Sequence, residues 1–202
     1  LHLSLRRQRQ MCIRDSFYLF ENAFKEYFGG HGAGNSVLGS HESVSAITQP
    51  QMVDYFTRRY APSNIVLCAT GNFNWDAFVS DAERLTATWV DVSTGRALTR
   101  HAGSGQGRVY RKKNLNQTHA FLLTEGPSAQ DAERYPLAIL ATMMGDSSGS
   151  RMYWDLIDRG LAESASVDSD ERDGCGCFTA YVSTAADKLD EVVGIAREIL
   201  SS

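Results

Sequence analysis

Ala162-Glu163-Ser164-Ala165-Ser166-Val167, Cys177-Phe178-Thr179-Ala180-Tyr181-Val182-Ser183 and the run Ala186–Leu200 decide the fold. The first two runs are short and carry small, β-branched and aromatic residues, with a polar acidic stretch between them. They read as two strands joined as a hairpin. In the third run Leu189, Val192, Val193, Ala196 and Ile199 recur at helical spacing and mark an inward stripe.

Working back toward the N-terminus, Gly145–Gly149 reads as a Gly/Ser loop between a helix at Ala132–Met144 and a short helix at Arg151–Ile157. Strands are expected at Thr118–Thr124 and Val109–Lys112. The residues from Asp91 to Gly107 are polar, glycine-rich and without period, and their last part, 101–107, is taken as an interdomain linker. Upstream of it, Phe17–Phe28 repeats aromatics at helical spacing and stops at Gly29-Gly30. His31–Ser40 reads as a glycine-punctuated loop. Thr48, with Pro50 and Gln51 behind it, opens a second helix through a capping box, with Met52, Val53, Phe56 and Tyr60 inward. Ala61–Asn64 is a turn. Ile65–Thr70 reads as a strand covered on both faces, and Asn74 caps a helix whose stripe is Phe78, Ala82, Leu85 and Trp89.

Consecutive strands are thus separated by anything from a hairpin to a whole helix. That mixture predicts an α+β class, mixed or antiparallel sheets with helices packed on one face, in parts of two similar domains. The expected division is 17–100 as the C-terminal part of a first domain and 108–202 as the start of a second.

Composition narrows the function classes. With 20 basic and 24 acidic residues the net charge is −4, and setting aside residues 1–16, which hold four arginines and one aspartate, leaves a more acidic remainder. This argues against a nucleic-acid groove, which needs clustered cations. The one basic run, Arg108 to Lys113, reads as a solvated strand edge. At 43% hydrophobic and 22% charged the chain resembles an ordinary globular protein. Its longest apolar run, Pro136–Met144, is about half of a membrane span, so no membrane partner is expected. Cys68 sits in an apolar run as a small core residue. Cys175 and Cys177 are too close together for a zinc knuckle, and thiols without a framework favour a reducing, cytoplasmic compartment.

Candidate chemistry is sparse. His31, in Gly29-Gly30-His31-Gly32-Ala33-Gly34, resembles the oxyanion loops of esterases, but no nucleophile elbow accompanies it. The same glycines lack the spacing and the preceding strand of a dinucleotide fingerprint. Ser147 and Ser148 have no partner histidine, since His119 is placed on a strand and His101 in the linker. Asp168-Ser169-Asp170-Glu171-Arg172-Asp173 lacks the twelve-residue calcium pattern and reads as a solvated hairpin tip. Catalytic and metal-ligating residues are therefore none, and substrate-binding residues are unknown.

Arg6-Arg7-Gln8-Arg9-Gln10-Met11-Cys12-Ile13-Arg14-Asp15 resembles the in-frame translation of a transposase adapter used in sequencing libraries. Residues 1–16 are accordingly expected to be disordered and foreign to the fold, with the natural N-terminus missing.

Four further stretches carry a family resemblance. His31-Gly32-Ala33-Gly34-Asn35-Ser36-Val37-Leu38-Gly39-Ser40-His41-Glu42-Ser43-Val44 and Tyr60-Ala61-Pro62-Ser63-Asn64-Ile65-Val66-Leu67, followed by Gly71-Asn72, resemble segments of the insulinase/pitrilysin-type zinc metallopeptidases. So do Gly145 with Ser148-Gly149-Ser150-Arg151-Met152 and Gly160-Leu161-Ala162, and Asn116–His119 fits the strand opening the stretch between them. The resemblance covers residues 17–202, in order. It implies repeated α+β domains closing around a peptide or protein substrate. It also implies zinc held by an inverted His-x-x-Glu-His helix with a later glutamate, attacking through bound water.

That motif is not in this sequence, so no zinc is expected on this stretch and no catalytic residue is carried over. His31-Gly32 stands where the family has His-Pro. Glu163 replaces a tyrosine, and the arginine expected near Ile157 has no match, which suits the catalytic half, where those two residues are not used. The resemblance thus implies a piece of a zinc metalloendopeptidase whose partner is a second homologous half or subunit. The alternative is a non-catalytic subunit acting as a structural or peptide-binding partner.

Overall fold

The computed structural model describes residues 16–95, 98–113 and 115–201. The adapter reading, Cys12 and the disorder expected of residues 1–16 lie outside the described residues except at Ser16, which is helical at the start of α1. The chain falls into two compact units, one of residues 38–97 and one of residues up to 37 with 98 onward.

The larger unit holds α1 (residues 16–28), β1 (Thr118–Glu125), α5 (Arg134–Gly145), β2 (Ser164–Arg172), β3 (Cys175–Thr184) and α6 (Leu189–Ser201). The smaller unit holds α2 (His41–Ser45), α3 (Gln49–Arg59) and α4 (Trp75–Thr86). The α+β class holds: one antiparallel sheet of order β1-β3-β2, with helices against it.

β3 is the central strand, and its alternating side chains feed two cores. Phe178, Ala180 and Val182 point to one face, where they meet Ala141 and Met144 of α5 and Val192, Ala196 and Ile199 of α6. Cys175 and Cys177 point to the other, against Phe24, Tyr27 and Phe28 of α1. β1 follows the same period, with Ala120 and Leu122 on the first face and Phe121 and Leu123 on the second. α5 and α6 thus take one face as the sequence implies, and α1 covers part of the other.

The hairpin is longer than its sequence signal. β2 runs on through Asp168–Arg172, and only Asp173-Gly174 turns, with Gly174 at φ +73° in the manner of a two-residue Asp-Gly loop. The acidic run is therefore a strand rather than a hairpin tip. Asp168, Asp170 and Arg172 pair in register with Thr179, Cys177 and Cys175 of β3, and that pairing outweighs the low strand preference of Asp. The short helix expected at Arg151–Ile157 exists, but its Tyr153–Ile157 turn is π-type.

The smaller unit departs further from expectation. Thr48 forms its capping box with Gln51, whose Oε1 accepts from the Thr48 N–H at 2.8 Å, and Asn74 caps α4 through the Ala77 N–H at 2.9 Å. Ile65–Thr70, by contrast, is not a strand: Val66 is 86% exposed and Cys68 is exposed rather than in a core. A strand needs a neighbour to take its N–H and C=O groups, and the described part of this unit offers only helices. The stripe Met52, Val53, Phe56 and Tyr60 is exposed for the same lack of a facing layer, as are Leu85 and Trp89, while Phe78 and Ala82 are partly buried. In the larger unit Val109–Lys112 likewise forms no strand and is exposed.

Gly145 ends α5 against β2 so closely that a Cβ there would lie 2.0 Å from the Val167 nitrogen. Gly145→Ala should therefore destabilise the larger unit by ~1–3 kcal/mol through overpacking. Helix propensity alone predicts the opposite sign, a gain of about 1 kcal/mol. Urea midpoints of the two proteins decide between them.

Candidate functional site

The uncovered part of the α1 side of the sheet forms a groove of about 580 Å³. Phe17, Phe20 and Phe24 wall it from α1, and Phe121, Tyr181 and Asp168 line it from the strands. The aromatic wall is a packed set: the Phe20 and Phe24 rings lie 4.3 Å apart, and Phe20 meets Phe121 edge-on at 5.4 Å. The strand side is polar, with the carboxylates of Asp168 and Asp170 and the hydroxyl of Ser166. Its chemistry is that of a contact surface with one apolar and one hydroxyl- and carboxylate-bearing side.

Arg172 anchors this side. Its guanidinium lies 4.6 Å from the centre of the Phe24 ring, pairs with Asp170 at 2.5 Å and donates to the Ala33 carbonyl oxygen. The hydrogen bonds it donates to the Asp170 carboxylate raise its pKa further. A cation held over an aromatic face contributes about 0.5–2 kcal/mol. Here it also ties the end of β2 to α1 and to the turn after it. Nothing in the sequence pairs Arg172 with Phe24, because the contact exists only once the hairpin folds back on α1.

The candidates from sequence are scattered. His31 stacks on His101, with ring centres 4.3 Å apart and planes at 6°. His31 Nδ1 accepts the Ala33 N–H, and His101 Nε2–H donates to the Phe28 carbonyl oxygen at 2.9 Å. Both rings thus close turns. His119 bonds the Tyr181 hydroxyl at 2.8 Å across β1 and β3, away from Ser147 and Ser148, which are exposed on the loop after α5. Glu163 is exposed at the start of β2, where its N–H donates to the Ser183 carbonyl oxygen.

Cys175 and Cys177 share one face of β3, in the core with Phe28. The glycine between them is needed for packing, since a Cβ on Gly176 would fall 1.9 Å from the Pro127 carbonyl oxygen. Burial pushes the Cys177 thiol up to about 12 and raises Cys175 as well, so neither is poised as a nucleophile or thiolate ligand. Among the described residues no three His, Cys, Asp or Glu side chains converge to hold a metal ion. The donor set of this stretch does not fit a zinc site. No helix of the described residues is long and apolar enough to cross a membrane.

A second hollow, about 890 Å³, runs along α3 in the smaller unit, with Ile47, Met52, Val53 and Phe56 among its lining.

Against known proteins, the family model described as the peptidase M16 inactive domain matches residues 46–202. An uncharacterized zinc protease of Mycobacterium leprae is 28% identical over 180 residues, covering 87% of this chain and 40% of that protein. An uncharacterized zinc protease of Bacillus subtilis is 26% identical over 179 residues, covering 88% and 43%. The chain thus spans about two-fifths of the length of these relatives. A crystal structure of a peptidase M16 inactive domain from Pseudomonas fluorescens shares the fold at TM-score 0.81 and 16% identity, over 98% of this chain and 50% of that one. A chain of Complex III2 from Candida albicans shares it at TM-score 0.73 and 16% identity, over 89% and 45%.

The buried groups set a pH dependence. The folded chain holds Cys177 and Tyr27 protonated up to about 12, against ordinary values of 9.0 and 10.0. Between those limits the unfolded chain has lost protons that the folded chain keeps, so stability is full below about pH 9 and falls as pH rises toward 12. Melting temperatures should drop across that window, and a flat profile would refute the burial argument. At neutral pH a maleimide should label Cys68 readily and reach Cys175 and Cys177 only on unfolding.

Proposed function

This chain belongs to the peptidase M16 family, the insulinase/pitrilysin-type zinc metallopeptidases, and we propose that it is scaffold from one half of a zinc-dependent metalloendopeptidase. The match of the inactive-domain model to residues 46–202 carries this reading. In the intact protein the β1-β3-β2 sheet with α5 and α6 would form part of the wall of a chamber that holds a polypeptide substrate. Zinc would supply an activated water for hydrolysis of the peptide bond, and its ligands would come from residues outside this stretch. What these residues contribute is shape: they support the chamber and present the groove between α1 and the sheet to an extended chain.

On this reading residues 17–100 complete one α+β domain and residues 108–202 begin a second, joined by the linker at 101–107. The exposed stripe of α3 and the apolar run Ile65–Thr70 support that division, since both carry the pattern of buried elements without a facing layer. A second homologous half, on the same chain or another, would close the chamber.

The second reading is a non-catalytic subunit, a structural or peptide-binding partner. Its support is the fold shared with a chain of Complex III2, a multi-chain assembly.

Residues 17–202 produced alone should bind no stoichiometric zinc and cleave no polypeptide. The complete protein should hold one zinc per catalytic half, and chelation should abolish its hydrolysis of an unfolded polypeptide. Substituting His31, His101 and His119 together by Gln should leave that zinc content unchanged. Zinc at one per chain on residues 17–202, coupled to proteolysis, would overturn the scaffold reading. A complete protein without zinc or activity would favour the partner subunit.

A further inference from the structure

We propose that the stacked pair His31 and His101 is a pH-sensitive latch: it holds residues 98–104 on the larger unit while both rings are neutral, and releases them when His31 takes up a proton. Three observations converge on it.

The pair stands where the chain re-enters the larger unit. The chain leaves that unit after Val37 and returns at Leu98, and the returning segment is tied down within a few residues. The His101 N–H donates to the Gly174 carbonyl oxygen at 3.1 Å, and the Ser104 N–H to the Tyr27 carbonyl oxygen at 2.8 Å. Beside these bonds the His101 ring lies flat against His31, with centres 4.3 Å apart and planes at 6°. The stack is thus the side-chain part of a strap over the end of α1 and the β2–β3 turn.

The partners of the two rings fix where their hydrogens are. A carbonyl oxygen only accepts, so His101 carries its hydrogen on Nε2, 2.9 Å from the Phe28 oxygen. A backbone N–H only donates, so His31 Nδ1, 3.2 Å from the Ala33 nitrogen, is bare and the ring hydrogen sits on Nε2. A second proton can enter His31 only at Nδ1, where it meets the Ala33 N–H head-on. Protonation of this ring and the bond that closes the turn therefore exclude each other. A proton on His101 as well would set two like charges a stacking distance apart.

The charged and titratable groups of the surrounding elements offer no relief. The end of α1 carries Lys25, Tyr27 and Glu26, the last facing Arg108. β2 brings Arg172, which donates to the Ala33 carbonyl oxygen and holds Asp170. β3 brings Cys175 and Cys177, buried in the core with Phe28. In the turn Asp173 accepts from Gln130 at 3.0 Å, and next to His101 Arg100 pairs with Asp131 at 2.7 Å. Among the described residues none of these carboxylates bonds to either ring. The open form thus takes up a proton that the latched form refuses. The latch is held above the range in which imidazole titrates and is lost as the pH falls through it.

The test is amide hydrogen exchange of the complete protein at about pH 7.5, 6.5 and 5.5, each rate corrected for the intrinsic pH dependence of exchange. Protection of the His101 and Ser104 amides should fall about tenfold between about pH 6.5 and 5.5, the change expected for one proton taken up on opening. The amides of β3, which report opening of the whole unit, should keep theirs. His31→Asn puts a side-chain oxygen that does not titrate within reach of the Ala33 N–H, two residues on, in the manner of an Asx turn. In that variant the protection of His101 and Ser104 should no longer depend on pH. Equal protection of the native protein at all three values, loss of β3 protection in step with the strap, or an unchanged pH dependence in the His31→Asn variant would each overturn the proposal.

Discussion

Everything in the larger unit depends on β3 being buried on both faces while hydrogen-bonded on both edges. Its central place in the β1-β3-β2 order means that each residue answers to four neighbours at once, two strands and two layers. A slip of one residue would put Phe178, Ala180 and Val182 against α1 and send the two cysteines into the α5–α6 core. Close approaches pin the register from both sides: Gly145 against Val167 on β2, and Gly176 against Pro127. The fully buried Val182, Val192 and Ala196 show how little slack remains. At roughly 1.5–3 kcal/mol for each large apolar side chain removed from water, this sandwich outweighs any single surface ion pair in the chain.

That constraint explains why the site-like features are structural. Thiols inside such a core stay protonated, and histidines 31 and 101 spend their ring nitrogens on backbone groups at the end of α1 and in the turn after it. What remains available for function among the described residues is surface, such as the groove beside α1 and the loop after α5. This distribution suits a scaffold, in which shape is conferred by the fold and reactivity is supplied elsewhere.

Most of the larger unit is legible in the sequence because β1, β3, α5 and α6 find their partners within it, Val109–Lys112 being the exception. The period of two in β1 and β3 and the stripe of α6 correspond to layers that are present. The contact of Arg172 with Phe24 is long-range and charge-to-aromatic, which no local period encodes. The first half of β2 has a strand pattern, whereas its acidic second half has the composition of a loop and is a strand only through pairing with β3. In the smaller unit local signals held, as at Thr48 and Asn74. Readings that required a facing layer, as at Ile65–Thr70 and Met52–Tyr60, did not, since hydrophobic pattern declares what a segment is built to meet and cannot create the partner.

The apolar surface left exposed on the smaller unit is then a seam for the rest of a larger protein. Amide hydrogen exchange on residues 17–202 alone and on the complete protein tests this directly. The account predicts that β3 is the slowest-exchanging segment in both, and that Ile65–Thr70 exchanges freely in the isolated stretch but is protected in the complete protein. Free exchange of Ile65–Thr70 in both would contradict it, and would leave these residues as surface in their own right.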